Sequence, residues 1–334
     1  MTRIWTQFNR KTAPLRRALR YRYRKPISDA CNSADTILLA SSGRSGSTFL
    51  AGLLNWDNEY RYLFEPMHPQ WVNEFKGFSK RPYLPSGTQN ETLLKTVSDS
   101  FSGQLSNPWI DQFNGQRHPS RRLVKAIRGN LALPGFSANH PQTRIIYLIR
   151  NPLAQALSVI GGSWKLGHEA FTQQPEFQQR YPALCSYLEN SPTDSFLSAI
   201  TFWCVENFVP FNEIEAQSIH FVNYENLISD PRNELKQLFE FIGKDFDEQV
   251  LELVNVRSKT SRPTDKGSPL LRWQTKLTQQ QQDQALSILA DFGLHNLYNV
   301  QGMPVMTFDQ VQAAIGNNPF AAAWNATSLA GGRV

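Results

Sequence analysis

Residues 36–54, TILLASSGRSGSTFLAGLL, constrain the fold more tightly than any other part of the chain. Residues 37–40 form a short continuous apolar run, the pattern of a strand buried on both faces of a parallel sheet. Residues 41–46 then lack bulk apart from Arg44, and Gly43 and Gly46 permit backbone conformations and close approaches that a side chain would block. Ser47 and Thr48 open a helix whose apolar residues Phe49, Leu50, Leu53 and Leu54 recur at helical spacing. Strand, small-residue loop and helix N-terminus together build a cradle for a phosphate or sulfate. Successive amides converge on it, the helix dipole adds its pull, and both hydroxyls can donate.

The loop departs from a nucleotide-binding P-loop where the chemistry matters. G-x-x-x-x-G-K-[ST] places a lysine directly after the last glycine and a hydroxyl on magnesium. Here the cation comes earlier, as Arg44, and Gly46 is followed by Ser47 and Thr48. Such a cation lies beside the bridging or terminal oxygens of a diphosphate-like group, and no pattern for a metal accompanies it. Sulfuryl transfer suits this arrangement, because a leaving sulfuryl group carries less negative charge than a phosphoryl group and fixed donors can suffice.

Gly/Ser-rich loops also serve as bare tight turns, so a second element carries weight. Residues 144–160 read RIIYLIRNPLAQALSVI. Residues 145–149 predict a buried strand, with Arg150 at its carboxyl end, the edge where open α/β sheets bind ligands. Asn151-Pro152 starts a helix, and Ser158, eight residues after Arg150, projects from the same general side about two turns on. An arginine fork with a hydroxyl makes a clamp for a second phosphate.

In this order the motifs resemble the sulfotransferase family that uses 3′-phosphoadenosine 5′-phosphosulfate (PAPS), and its carbohydrate sulfotransferase branch in particular. The resemblance implies that Arg44, Ser45, Gly46, Ser47 and Thr48 hold the 5′-phosphosulfate and that Arg150 and Ser158 hold the 3′-phosphate. Phe64-Glu65-Pro66 with His68 resembles the short motif after the first helix of that branch, and LVKAIR (123–128) its middle strand. Thr260-Ser261-Arg262 leading to Arg272-Trp273 resembles the C-terminal loop that closes over the nucleotide. The similarity runs from about residue 36 to about residue 298. It implies PAPS as co-substrate, the desulfonated nucleotide PAP as product, and no metal.

Within LFEPMHP, Pro66 and Pro69 stiffen an extended loop around Glu65, whose carboxylate is favoured as the acceptor of a proton from an attacking hydroxyl. His68 is the competing base; the plain alternative pairs Glu65 with an arginine and leaves His68 a loop hydrogen bond. Lys125 interrupts the apolar run LVKAI and needs an anionic partner, as does Arg128 nearby. A bound diphosphate, the acceptor or an internal carboxylate would serve, and both residues are candidates for acceptor binding. Residues 195–215 read as a long core helix broken at Pro210, with Glu206 and Asn207 able to reach the cleft. Asp230 and Pro231 start a further helix, its apolar stripe ending at Gly243, to which no chemistry is assigned.

The 334 residues, 40% of them hydrophobic, suffice for one α/β domain with a P-loop-like central parallel sheet flanked by helices and loop insertions. Four of its expected strands begin near Thr36, Leu123, Ile145 and Ile219, the last running to Tyr224. We divide the chain into a basic N-terminal arm (1–33), the sulfotransferase-like domain (34–300, with 70–120 as the acceptor-side insertion) and a C-terminal extension (301–334). The net charge of +6 favours anionic ligands, and the run RRALRYRYRK supplies much of it. No helix-turn-helix, zinc spacing or RNP-like aromatic set accompanies that run, so nucleic-acid recognition is set aside. Cys31, Cys185 and Cys204 form neither a disulfide framework nor a metal motif. No membrane span or secretory signal is encoded. The expectation is a cytoplasmic enzyme, peripheral to a membrane at most through its basic arm, that sulfates a hydroxyl of a glycan or glycolipid. The competing readings are a P-loop kinase or NTPase, disfavoured by the missing Gly-Lys-[ST] and magnesium aspartate, and a nucleotide-binding protein without chemistry.

Overall fold

Five strands, all parallel, make one sheet in the spatial order β2-β3-β1-β4-β5: β1 (Thr36–Ser41), β2 (Tyr60–Phe64), β3 (Arg121–Ala126), β4 (Arg144–Ile149) and β5 (Ile219–Asn223). This computed structural model describes residue 27 and residues 35–114, 117–162, 166–254 and 270–321. Among the described residues, eight helices of two turns or more surround the sheet: α1 (Ser47–Leu54), α2 (Glu91–Phe101), α3 (Pro152–Ile160), α4 (Pro182–Glu189), α5 (Ser195–Glu213), α6 (Pro231–Phe241), α7 (Gln279–Asp291) and α8 (Phe308–Ile315). Among the described residues no helix is long and apolar enough to cross a membrane.

The alternation of side chains along each strand sorts the core into two layers. Ile37 and Leu39 of β1 pack with Leu50, Leu53 and Leu54 of α1 and with Leu235, Leu238 and Phe239 of α6. Leu38 and Ala40 point the other way, toward α3, α5, α7 and α8. Both faces of β1 are therefore covered, as its unbroken apolar run predicts. The connection after β1 leads across β3 to the edge strand β2, while the one after β4 leads to β5 at the opposite edge. Because β1 and β4 are neighbours, a crevice opens between their carboxyl ends, the switch point where such sheets bind ligands.

Three features differ from the sequence-based expectation. β2 is not among the strands named from the sequence, and Arg61 stands in its middle. Arg61 is nevertheless buried: its Nε meets Asp111 Oδ1 at 3.2 Å and its Nη1 donates to the carbonyl of Gly103 at 2.8 Å. The outer edge of β2 is paired through Phe64 N–H to the Ile110 carbonyl (2.9 Å) and Tyr62 N–H to Asn114 Oδ1 (2.5 Å), which masks an otherwise open strand edge. Second, α5 is not broken at Pro210 but runs through it. A proline leaves the carbonyl four residues back without its helical donor; here that carbonyl, on Glu206, accepts Asn130 Nδ2 at 3.2 Å instead. Third, β5 stops at Asn223, and Tyr224 opens a short helix, Tyr224–Ser229.

Within 70–120, Val72, Phe75, Tyr83, Leu93, Val97 and Phe101 are buried in the same core as α5. Within 301–334, α8 buries Phe308, Val311 and Ile315, and Gln312 Nε2 donates to the carbonyls of Phe211 (2.9 Å) and Ile214 (2.8 Å). Residues 1–26, with the basic run, lie outside the described residues, as do Cys31, residues 322–334 and Thr260, Ser261 and Arg262 of the C-terminal loop.

Candidate functional site

The loop after β1 is shaped by two residues with left-handed backbone, Arg44 (φ 71°) and Gly46 (φ 96°), on either side of the buried Ser45. Gly46 is required twice over. Its φ disfavours any side chain, and a Cβ there would lie 2.5 Å from Cδ2 and 2.6 Å from Cε2 of Tyr224. The Gly46 carbonyl accepts the amides of Phe49 (2.9 Å) and Leu50 (3.0 Å), so α1 begins here and the amides of Ser47 and Thr48 precede the first helical hydrogen bond. From behind, Gln155 Nε2 of α3 donates to the Gly43 carbonyl at 2.6 Å. Asn207 Nδ2 of α5 donates to Ser42 Oγ at 3.3 Å while its Oδ1 accepts the Tyr147 hydroxyl at 2.7 Å. Ser45 Oγ is buried without a hydrogen-bond partner.

The second strand end closes on the same loop. Arg150 Nη1 donates to the Arg44 carbonyl at 3.1 Å, its guanidinium lies 4.6 Å from the Tyr224 ring centre, and Arg44 Nε donates to Ser158 Oγ at 3.0 Å. Asn151 fixes the start of α3, its Oδ1 accepting the amides of Leu153 (3.1 Å) and Ala154 (3.2 Å), with Pro152 as the first helical residue. Arg272 heads the short helix Arg272–Lys276, and its charge reaches the Tyr224 phenol. Trp273 is buried below, against Gly302, where a Cβ would meet Trp273 Cζ2 at 3.0 Å and Asn151 Nδ2 at 3.3 Å.

Glu65 anchors an adjoining cluster. It follows β2 with φ 47°, its amide donating to the Lys125 carbonyl at 2.9 Å and its own carbonyl accepting Trp109 Nε1 at 3.2 Å. Lys125 Nζ reaches Glu65 Oε1 at 2.7 Å and Arg128 Nη1 reaches Oε2 at 2.9 Å, so both candidate acceptor-side cations pair with the favoured base. Burial alone would raise the Glu65 carboxyl; Lys125 and Arg128 overcome it and hold it at about 2. Burial lowers the Lys125 ammonium against the pull of Glu65, and Arg44 and Arg128 add to the lowering. Arg128 is pushed down to about 10 by burial and by Arg81, which itself forms a buried ion pair with Glu206. His68 drops to about 4 through burial and Arg128. Its Nδ1 accepts the Gln70 amide at 3.3 Å, so the neutral ring carries its proton on Nε2. The Trp71 and Trp109 rings stack beside it, 5.4 Å apart and 16° from parallel.

The structure thus gathers Arg44, Ser45, Gly46, Ser47, Thr48, Arg150 and Ser158 at one crevice, with Arg272 and Trp273 against its flank. Glu65, His68, Lys125 and Arg128 form the neighbouring group. Sequence reasoning passed over Tyr224, Gln155, Arg81 and the Trp71–Trp109 pair. Tyr224 carried a signal, an aromatic directly after a strand of the same parallel sheet; the others depend on contacts no local pattern encodes. Among the described residues no group of three or more His, Cys, Asp or Glu side chains is placed to hold a metal ion.

Residues 34–287 match the sulfotransferase domain, and the chain belongs to the sulfotransferase family. Solved structures similar to it include the sulfotransferase domain from the curacin biosynthetic pathway, with 17% identity, a TM-score of 0.44, and coverage of 76% of this chain and 96% of that one. Retinol dehydratase in complex with androsterone and the inactive cofactor PAP shares 17% identity, with a TM-score of 0.45 and coverage of 78% and 81%. Mouse sulfotransferase SULT7A1 complexed with PAP shares 14%, with a TM-score of 0.43 and coverage of 89% of each chain. No curated protein sequence matches the chain.

Proposed function

We propose that this sulfotransferase moves the sulfuryl group of PAPS to a hydroxyl of a carbohydrate or glycolipid. The observation that carries the reading is the meeting of two strand ends, 106 residues apart in sequence, where Arg150 donates to the Arg44 carbonyl and Arg44 to Ser158. Two anion-binding elements that close together can be bridged by one doubly phosphorylated nucleotide. The loop amides with Ser47 and Thr48 grip the phosphosulfate, and Arg44 offsets charge growing on the leaving phosphate oxygen. Arg150 and Ser158 take the 3′-phosphate, and Arg272 and Trp273 wall the nucleotide side. The exclusion of a Cβ at Gly46 and the unpartnered Ser45 hydroxyl support a loop shaped around an anion.

Glu65 takes the acceptor proton as the hydroxyl oxygen bonds to sulfur and the sulfur–oxygen bond to the phosphate breaks. A carboxylate held at about 2 is a weak base. Negative charge arriving beside Lys125 competes for that ammonium and frees Glu65 to accept a proton. His68, with its proton on Nε2, is suited to donate to the acceptor instead. The stacked, half-buried indoles of Trp71 and Trp109, tied to Glu65 through Trp109 Nε1, offer a flat apolar surface for the C–H face of a sugar ring. We also infer a cytoplasmic enzyme, with the basic arm as a contact to anionic membrane.

Radiolabelled PAPS with a panel of oligosaccharides and glycolipids tests the assignment. Label is expected in a glycan, with Glu65→Gln slowing transfer while PAP affinity is kept. A folded preparation that neither binds PAP nor consumes PAPS refutes it.

A further inference from the structure

We propose that Glu225 is the positioning residue for Arg150, and that binding of an anionic nucleotide there is accompanied by uptake of a proton at Glu225. The inference rests on the nucleotide-site reading above. Glu225 follows Tyr224 just beyond β5, and only 2% of it is exposed. Its Oε1 accepts the amide of Asn151, the residue after Arg150, at 3.0 Å. Asn151 also caps α3, the helix that carries Ser158. One carboxylate oxygen therefore fixes the peptide joining the Arg150 strand end to the Ser158 helix. The preceding residue, Tyr224, sets its ring against the Arg150 guanidinium at 4.6 Å. Consecutive residues thus hold the arginine from two directions, one through its cation and one through its backbone.

The transfer chemistry makes no use of Glu225. The titratable and charged groups around it are Arg150 from the end of β4, Tyr298 from the C-terminal segment, whose hydroxyl donates to Asn223 Oδ1 at 3.4 Å, and Tyr224 beside it. Burial pushes the carboxyl up to about 7 against the opposing pull of the Asn151 amide and Arg150. At neutral pH the site is thus divided between carboxylate and acid. A phosphate engaging Arg150 draws off the cation that favours the carboxylate and adds negative charge nearby. Both effects favour the acid. The acid retains a carbonyl oxygen for the Asn151 amide, so the latch survives protonation.

The test is calorimetric titration of the full chain with PAP, slightly above neutral pH, in two buffers of different ionisation enthalpy. We expect net proton uptake on binding. We also expect PAP affinity to fall about fivefold from about pH 7 to about pH 9, the consequence of a carboxyl shift of about one unit on binding. The nucleotide's own phosphates, with a second pKa of about 6, would release protons on binding and strengthen it as pH rises, so they do not mimic the effect. Glu225→Gln keeps an acceptor for Asn151 but cannot titrate, so its affinity should be flat with pH. PAP binding with a buffer-independent enthalpy overturns the role of Glu225 alone, as does a Gln variant that retains the pH dependence. Absence of PAP binding at every pH overturns the nucleotide site and this inference with it. Should the variant fail to fold, the two-buffer measurement on the unaltered chain still decides.

Discussion

Replacing Gly46 by alanine imposes two separable costs. The first is conformational: at φ 96° an alanine occupies left-handed backbone, at about 1–2 kcal/mol. The second is steric. The new Cβ would sit 2.5 and 2.6 Å from two carbons of the Tyr224 ring, whose outward movement would disturb the Arg150 guanidinium 4.6 Å from its centre. Forcing a methyl group into such a contact costs about 1–3 kcal/mol. Gly46→Ala should therefore lose about 2–5 kcal/mol in urea unfolding. Tyr224→Ala removes the obstruction, so in the double variant the steric part disappears and only the backbone part remains. A double-mutant cycle should show a favourable coupling of about 1–3 kcal/mol between the two positions. PAP affinity should also weaken in Gly46→Ala, because the displaced ring supports Arg150. Strict additivity would show that Tyr224 is not what excludes a side chain at position 46. An alanine variant as stable as the unaltered chain would refute the conformational argument as well.

Glu65→Gln removes the charge shared by Lys125 and Arg128, and breaking such a buried arrangement costs about 3 kcal/mol near neutral pH. Because the native Glu65 carboxyl lies at about 2, below its unfolded value near 4.5, the unfolded chain binds the extra proton between those limits. The stability difference between the two proteins should therefore be full above about pH 4.5 and shrink as pH falls through about 2; urea unfolding at several pH values checks it, and a constant difference refutes the ion-pair account. Asn130→Ala leaves the Glu206 carbonyl unpaired in α5 and should cost about 1–2 kcal/mol. Thermal or urea unfolding should show that cost largely vanishing when Pro210→Ala restores the helical donor, and an undiminished cost in that background would show that Asn130 matters for another reason.

The strands legible in the sequence were those with unbroken apolar runs. Burial on both faces leaves a chain little freedom in what it writes there, as 37–40 and 145–149 illustrate. β2 escaped because its charge at Arg61 is neutralised by Asp111, fifty residues on, and no local pattern announces that partner. The cradle was legible for a related reason: glycines, hydroxyls and a helix start are local requirements of anion binding. The pairing of Lys125 was half legible. A lysine in an apolar run demands an anion, but the choice of Glu65 follows from the register that sets Phe64 beside Lys125 and carries the next residue over it. Pro210 misled because its cost depends on whether another side chain supplies a donor for the freed carbonyl. Asn130 lies eighty residues earlier and gives no hint of that role.

The two halves of the site differ in electrostatic character, and that difference bears on how one crevice can receive two unlike molecules. On the far side, Glu65 is matched against Lys125 and Arg128, and Glu206 against Arg81, so every cation there has a carboxylate partner and one net positive charge remains. On the cradle side, Arg44 and Arg150 stand with the helix N-terminus of α1, and the buried carboxyl within reach, Glu225, is pushed up to about 7 rather than held as a firm anion. Positive potential is therefore concentrated where the strands β1 and β4 end. Such a potential would draw the proposed anionic donor to that end by long-range attraction. Under the carbohydrate reading proposed above, a neutral sugar would instead be sorted by contact, against the paired indoles and the hydrogen-bonding ion pairs next to them. Arg44 lies at the junction: its Nε holds Ser158 of the proposed nucleotide clamp while its charge acts on Lys125 of the proposed acceptor group. An arginine suits that position better than a lysine, because a planar guanidinium can direct separate N–H groups to separate partners.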